Sequence, residues 1–169
     1  DFYLIKMYLI RGQHNLKLFK SRHPNVLLSG TIGNFDGLHL GHQAILEKIK
    51  NNAQKYNAKT IVFFTEPHAA EYFSKVRDKN QIPPPRICPW REKFQLLKKS
   101  KIDFACFLKF NSKLRTMSPD DFISQILDSI NLVSFTVGDD FRFGAGRKGD
   151  TDLLKNWGET KGILVENTE

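Results

Sequence analysis

Six short runs of apolar and β-branched residues alternate along this chain with segments of helical periodicity, and that alternation constrains the fold more than any other feature. The runs are Met7 to Ile10, Val26 to Ile32, Thr60 to Phe64, Phe104 to Leu108, Val133 to Val137 and Ile163 to Val165. Strands separated by helices predict crossover units around a parallel sheet. From His42 to Tyr56, the spacing of Leu46, Ile49, Ala53 and Tyr56 predicts one apolar helical stripe, with Lys48, Lys50 and Lys55 toward water. A second helix, Arg91 to Lys99, offers Phe94 and Leu97 to the core. Ser118-Pro-Asp-Asp121 combines an N-cap serine, a first-turn proline and two acids at the positive end of the dipole, and predicts a helix running through Ile130. A last helix, Thr151 to Thr160, should end near Gly162. The expected fold is α/β, a doubly wound, mostly parallel sheet forming a single domain over residues 1 to 169. In such a fold ligands bind beyond the carboxyl ends of the strands.

With 40% hydrophobic and 12% aromatic residues, the chain has enough apolar surface for one core and too many aromatics for a disordered segment. Its net charge of +8 suits nucleic acid, an anionic membrane or a small polyphosphate. The basic residues are scattered, clustering only at Lys98, Lys99 and Lys101 and at Arg147 and Lys148, so nucleic acid is not the expected partner. Cys88 and Cys106 are too far apart for a CxxC pattern and read as free thiols in a reducing compartment. No apolar run approaches the ~20 residues that span a bilayer. Asp1 to Met7 lacks a basic n-region and a cleavage site, so a cytoplasmic location is expected. Pro83-Pro84-Pro85 reads as a stiff extended spacer.

The second strand run ends at Gly33, and the next helix should open around His39 to Gly41. Gly33, Gly37 and Gly41 allow a tight turn and the close approach of a phosphate to main-chain N–H groups at a helix N-terminus. His39 and His42, three residues apart in the first helical turn, share a face and can hydrogen-bond phosphate oxygens as charge develops on a leaving pyrophosphate. A metal site is the competing reading of His-x-x-His, but the glycine-rich setting favours an anion.

Two later segments belong with this turn. Phe63-Phe-Thr-Glu-Pro-His68 brings an acid and a histidine to the end of the third run. Val137-Gly-Asp-Asp-Phe-Arg-Phe-Gly-Ala-Gly-Arg-Lys-Gly149 carries four glycines, paired acids, two aromatics and several cations. Phe141 and Phe143 can stack on a flat ring, although at least one of them should be core. Arg142 or Arg147 can meet a phosphate in bidentate fashion, and Asp139 or Asp140 can orient a ribose or Mg²⁺.

Gly33-Asn-Phe-Asp-Gly-Leu-His-Leu-Gly-His42 resembles the first signature of the nucleotidylyltransferase superfamily, whose HxGH motif binds ATP phosphates. Pantetheine-phosphate and nicotinate-nucleotide adenylyltransferases and class I aminoacyl-tRNA synthetases carry relatives of HxGH. Together with Glu66-Pro-His68 and Gly138-Asp-Asp-Phe-x-Phe-Gly144, the turn is similar to the N-terminal adenylyltransferase module of the prokaryotic FAD synthetases, which are bifunctional with a C-terminal riboflavin kinase domain. Segments 86–97 and 107–122 share that likeness.

The resemblance implies transfer of AMP from ATP to FMN with release of pyrophosphate. His39 and His42 would act at the phosphates, and Gly33, Asn34, Phe35, Asp36, Gly41, Glu66 and Asp140 would hold ATP. His68, Phe143 and Arg147 would face the flavin, with Mg²⁺ near Glu66 and Asp140. Two departures stand out: a Ser-Ser-Thr-x-x-Arg type signature and the kinase domain are both missing, so a truncated, weakly active or inactive piece is expected. The order Phe64-Thr65 is also reversed relative to the family pattern. The alternatives are another acceptor, such as pantetheine phosphate, or a non-catalytic nucleotide- or nucleic-acid-binding module.

Overall fold

The computed structural model describes residues 7–33, 35, 40–66, 89–109 and 111–168. Every strand run forms a strand: β1 (Tyr8–Arg11), β2 (Leu28–Ile32), β3 (Lys59–Glu66), β4 (Phe104–Lys109), β5 (Leu132–Gly138) and β6 (Leu164–Thr168). They make one six-stranded sheet in the order β1-β4-β3-β2-β5-β6, and every ladder within it is parallel. From the central β2 the chain winds outward through β3 to β4, then returns to place β5 and β6 on the other side. The reversal falls between β2 and β5, and this switch point is where a doubly wound sheet opens a crevice.

The helices are α1 (Gly12–Arg22), α2 (Leu40–Lys55), α3 (Pro89–Lys99), α4 (Ser112–Thr116), α5 (Pro119–Gln125) and α6 (Thr151–Lys161). Strand alternation divides the core between the two faces. On β3, Ile61 and Phe63 point to a cluster with Leu16 and Phe19 of α1, Phe122 and Ile123 of α5, and Leu154 and Trp157 of α6. Val62 and Phe64 point the other way, to Leu46 and Ile49 of α2 and Leu97 of α3. Burial on both faces explains why the strands read as nearly continuous apolar runs rather than alternating ones.

Several expectations need adjustment. Tyr56 lies beyond the end of α2 and is exposed, with the Lys55 ammonium 5.3 Å from its ring centroid, so the stripe stops at Ala53. Lys48 does not simply face water: its Nζ lies 3.1 Å from Glu166 on β6. The Ser118 cap forms, its hydroxyl accepting from Asp121 N–H at 3.1 Å. However, α5 ends at Gln125 and a 3-10 turn, Leu127–Ser129, completes the segment. The final helix ends as expected, with Asp150 capping its start and Gly162 in the left-handed region at φ 71°.

Buried hydroxyls on the strands separate paired from unpaired groups. Thr60 donates from both N–H and Oγ1 to Asp103 Oδ2, at 2.9 and 3.0 Å, and accepts from Asp103 N–H at 2.9 Å. Ser29 donates to the Ile49 carbonyl at 2.8 Å and lies 2.8 Å from Ser134 Oγ, so the proton between the two serines comes from Ser134. The equally buried Thr31 and Thr136 hydroxyls have no partner among the described residues. Thr60→Val is therefore expected to cost about 1–3 kcal/mol, whereas Thr31→Val, with the same shape, should be neutral or stabilising. Urea denaturation midpoints of the two variants check this, and equal losses would contradict it.

Candidate functional site

A cavity of about 970 Å³ opens over the carboxyl ends of β2 and β5, at the switch point. One wall is the exit from β2 and the start of α2, with Gly33, Phe35, His42 and Ile45. The other wall is the segment after β5, from Gly138 to Arg147, backed by Leu114, Arg115 and Phe122. Gly33, Phe35, His42, Asp140, Phe143 and Arg147 thus share one cavity. Gly41 is the second residue of α2, and Glu66 is the last residue of β3. Asn34, Asp36, His39 and His68 lie outside the described residues.

The first wall is organised by Phe35. Its backbone sits in the left-handed region, φ 49°, which costs an ordinary residue on the order of 1 kcal/mol. Its ring is almost wholly buried, and that burial is worth roughly 2–3 kcal/mol, so burial prevails over strain. The ring fits because position 33 is glycine: a Cβ there would stand 2.9 Å from Phe35 Cε2. Above it lies the imidazole of His42, with centroids 4.9 Å apart. The Gly33 N–H donates to the Phe63 carbonyl at 3.1 Å, so Gly33 supplies room rather than a free donor.

The second wall is a closed loop. Phe143 N–H donates to the Gly149 carbonyl at 3.1 Å, and Gly149 N–H returns a bond to Phe143 at 2.8 Å. Phe143 is 6% exposed and stacks on Phe141, with centroids 5.7 Å apart and ring planes 12° apart. It is the core aromatic of the pair, presenting only part of its ring to the cavity, while Phe141 is partly exposed.

The loop is stapled to the α4–α5 connection, because Ala145 N–H donates to the Met117 carbonyl at 2.7 Å. Gly144, at φ 78°, packs so closely that a Cβ would meet Pro119 N and Cγ at 2.7 Å. Gly144→Ala combines left-handed strain with a clash against a rigid ring, and should cost about 2–4 kcal/mol. Thermal unfolding checks this; a wild-type melting temperature would contradict the packing.

The charges differ in how firmly they are held. Asp139 Oδ1 accepts from Asn167 Nδ2 at 3.1 Å, tying the turn after β5 to β6. Arg142 lies 3.8 Å from Asp150, both about half exposed, a pair worth little in water. Among the described residues, Asp140 and Arg147 make no side-chain bond to a neighbour. No group of three or more His, Cys, Asp and Glu side chains comes together among those residues. The hard oxygens of Asp139 and Asp140 suit Mg²⁺ that arrives on substrate phosphates and keeps most of its waters, rather than a protein cage. Cys106 is buried, and desolvation pushes its thiol far above the usual range, so it stays protonated and inert. Cys88 lies outside the described residues.

Sequence reasoning missed Ile45, Leu114, Arg115, Phe122 and Thr168, which also line the cavity. Leu114 and Arg115 belong to α4, a five-residue helix capped by Asn111, whose side chain accepts from Leu114 N–H. The Asn111 cap and the family likeness of segment 107–122 were the available signals.

An all-parallel, doubly wound sheet with a cavity at its switch point, lined by the exit of β2 and by a glycine-rich loop bearing carboxylates and cations, defines a Rossmann-like α/β domain. More narrowly, the chain belongs to the FAD synthetase family, whose model matches residues 21–169. It is 38% identical over 164 residues to the bifunctional riboflavin kinase/FMN adenylyltransferase of Escherichia coli strain K12, covering 96% of this chain and 50% of that protein. It is 40% identical over 153 residues to the protein of the same description from Buchnera aphidicola subsp. Acyrthosiphon pisum, covering 90% of this chain and 46% of that one. The chain thus spans about half the length of these relatives. A crystal structure of a macrolide-efflux protein from Streptococcus pneumoniae shares the fold at a TM-score of 0.70 and 19% identity, covering 97% of this chain and 59% of that one. No helix among the described residues is long and apolar enough to cross a membrane.

Proposed function

We propose that this chain carries an adenylyl-transfer site that joins AMP from ATP to FMN, giving FAD and pyrophosphate. The observation that carries the reading is the single cavity bringing the Gly33 turn and His42 opposite the Gly138 to Arg147 loop, in a chain of the FAD synthetase family. An oxygen of the FMN phosphate attacks the α-phosphorus of ATP in line. The bond from that phosphorus to the bridging oxygen breaks, and the electron pair leaves with pyrophosphate. No covalent enzyme intermediate is needed, so the protein contributes positioning and charge stabilisation.

His42, with His39, donates to the phosphate oxygens on which charge accumulates. Gly33, Asn34, Phe35, Asp36, Gly41, Glu66 and Asp140 shape the ATP side. His68, Phe143 and Arg147 form the flavin side, with Phe143 as a rigid backing for the ring. Glu66 and Asp140 would supply protein oxygens to Mg²⁺, which would neutralise phosphate charge there. The net charge of +8 suits two small polyanions, and the scatter of the basic residues is what sets nucleic acid aside in this reading. A riboflavin kinase domain on the same polypeptide, as named in the relatives, and a cytoplasmic location where ATP and FMN are made complete the proposal.

The test is acceptor choice. The chain, joined to the kinase half that its relatives carry, is given ATP with FMN or with pantetheine phosphate, and pyrophosphate is measured. Release with FMN alone is expected; release that depends on pantetheine phosphate would overturn the reading.

A further inference from the structure

Arg115 carries charge into the cavity from the 107–122 segment, where sequence reasoning named no site residue. It is exposed on α4 and lines the same wall as Phe141 and Phe143. The Ala145 to Met117 hydrogen bond of 2.7 Å sits two residues from Arg115 on one strand of the connection and two residues from Arg147 on the other. Both guanidinium groups therefore project from segments that are fastened together. Among the described residues neither has a carboxylate partner, whereas the third arginine on this wall, Arg142, has Asp150.

Arg147 adds a second observation. Its backbone lies at φ 54°, in the left-handed region, directly after Gly146 at φ 63°. A long side chain is disfavoured there by on the order of 1 kcal/mol. Its side chain is exposed, so no burial offsets the cost as it does at Phe35. Glycine would suit the backbone better, and an exposed arginine at a strained position on the cavity wall leaves its guanidinium available for binding.

We propose that Arg115 and Arg147 form a two-arginine clamp for the phosphomonoester of the acceptor, which makes them specificity-determining residues for a phosphorylated flavin over an unphosphorylated one. The inference rests on the adenylyl-transfer reading. A phosphomonoester carries close to two negative charges and three acceptor oxygens, a match for two guanidinium forks. The clamp shares a wall with the aromatic pair and faces the Gly33 and His42 turn across the cavity. An acceptor with a flat ring on the aromatics would thus present its phosphate between the two walls, where in-line attack requires it.

Titrations of FMN, riboflavin and ATP, followed by flavin fluorescence quenching and calorimetry, test the clamp in wild type, Arg115→Ala, Arg115→Lys and Arg147→Gly. Wild type should prefer FMN to riboflavin. Arg115→Ala and Arg147→Gly should each lose about ten-fold in FMN affinity, the scale of a lost charge-assisted hydrogen bond, with riboflavin and ATP unchanged. Arg115→Lys should fall between, keeping charge without the fork. Arg147→Gly should melt at or above the wild-type temperature, which rules out unfolding as the cause. FMN and riboflavin weakening together, ATP weakening in place of FMN, or no weakening would each overturn the clamp while leaving the adenylyl-transfer reading intact. A wild-type chain that binds ATP but no flavin would overturn both.

Discussion

Replacing Phe35 with alanine is expected to lower the free energy of unfolding by about 3 kcal/mol and to abolish nucleotide binding at the same time. The ring is 2% exposed and packs with Leu46 and Ile49 of α2 and Val62 and Phe64 of β3. Truncation leaves a cavity under the turn and removes the surface on which His42 rests. Backbone conformation adds an unusual signature. Because φ is 49°, Phe35→Gly relieves strain that Phe35→Ala retains, so the glycine variant should be the more stable of the two by about 1 kcal/mol, despite its smaller side chain. Denaturant titration of both variants decides the point. Alanine more stable than glycine would mean that the left-handed turn is not present in solution.

His42→Ala should show the opposite division between stability and activity. The imidazole is only half-buried, in the first turn of α2, so its loss should move the melting temperature little. Removing one donor aimed at developing phosphate charge should nevertheless lower kcat by about 100-fold or more. His42→Asn, which keeps a donor, should recover part of the rate. Pyrophosphate release at saturating ATP and FMN measures the effect, and a wild-type rate for the alanine variant would remove His42 from the reaction. Phe35 and His42 thus differ in kind in the proposed mechanism: one would hold the turn together, and the other would act from it.

Strand positions were legible in the sequence because burial on both faces forces continuous apolar runs, and all six runs became strands. Helices with caps were equally legible, as at Ser118 and near Gly162. Two helices were unrecognised, the five-residue α4 and the longer α1. Its N-cap, Arg11, makes no side-chain cap bond, and only Leu16 and Phe19 are buried along its 11 residues, too few to show a stripe. Tyr56 misled for the converse reason: helical spacing continues one step beyond the last helical residue, where the chain has already turned away.

Within the site, motif residues were legible because glycines and histidines at fixed spacing are rare without a reason. Gly33 and Phe35, both singled out from the sequence, line the cavity, but the reason for their pairing, a ring occupying the space of an absent Cβ, belongs to three dimensions. The place of Arg115 in the cavity was hidden for the same cause. It reaches the cavity only because Gly144 lies against Pro119 and Ala145 bonds to Met117, contacts between segments about 25 residues apart that no local pattern encodes.

The most direct measurement is a crystal structure of the chain with FAD, the product that would occupy both walls at once. The adenosine end should lie at the Gly33 to His42 turn, the flavin ring against Phe141 and Phe143, and the pyrophosphate bridge between His42 and the two arginines. FAD bound outside this cavity, or bound in it with its ends exchanged, would contradict the assignment of the two walls.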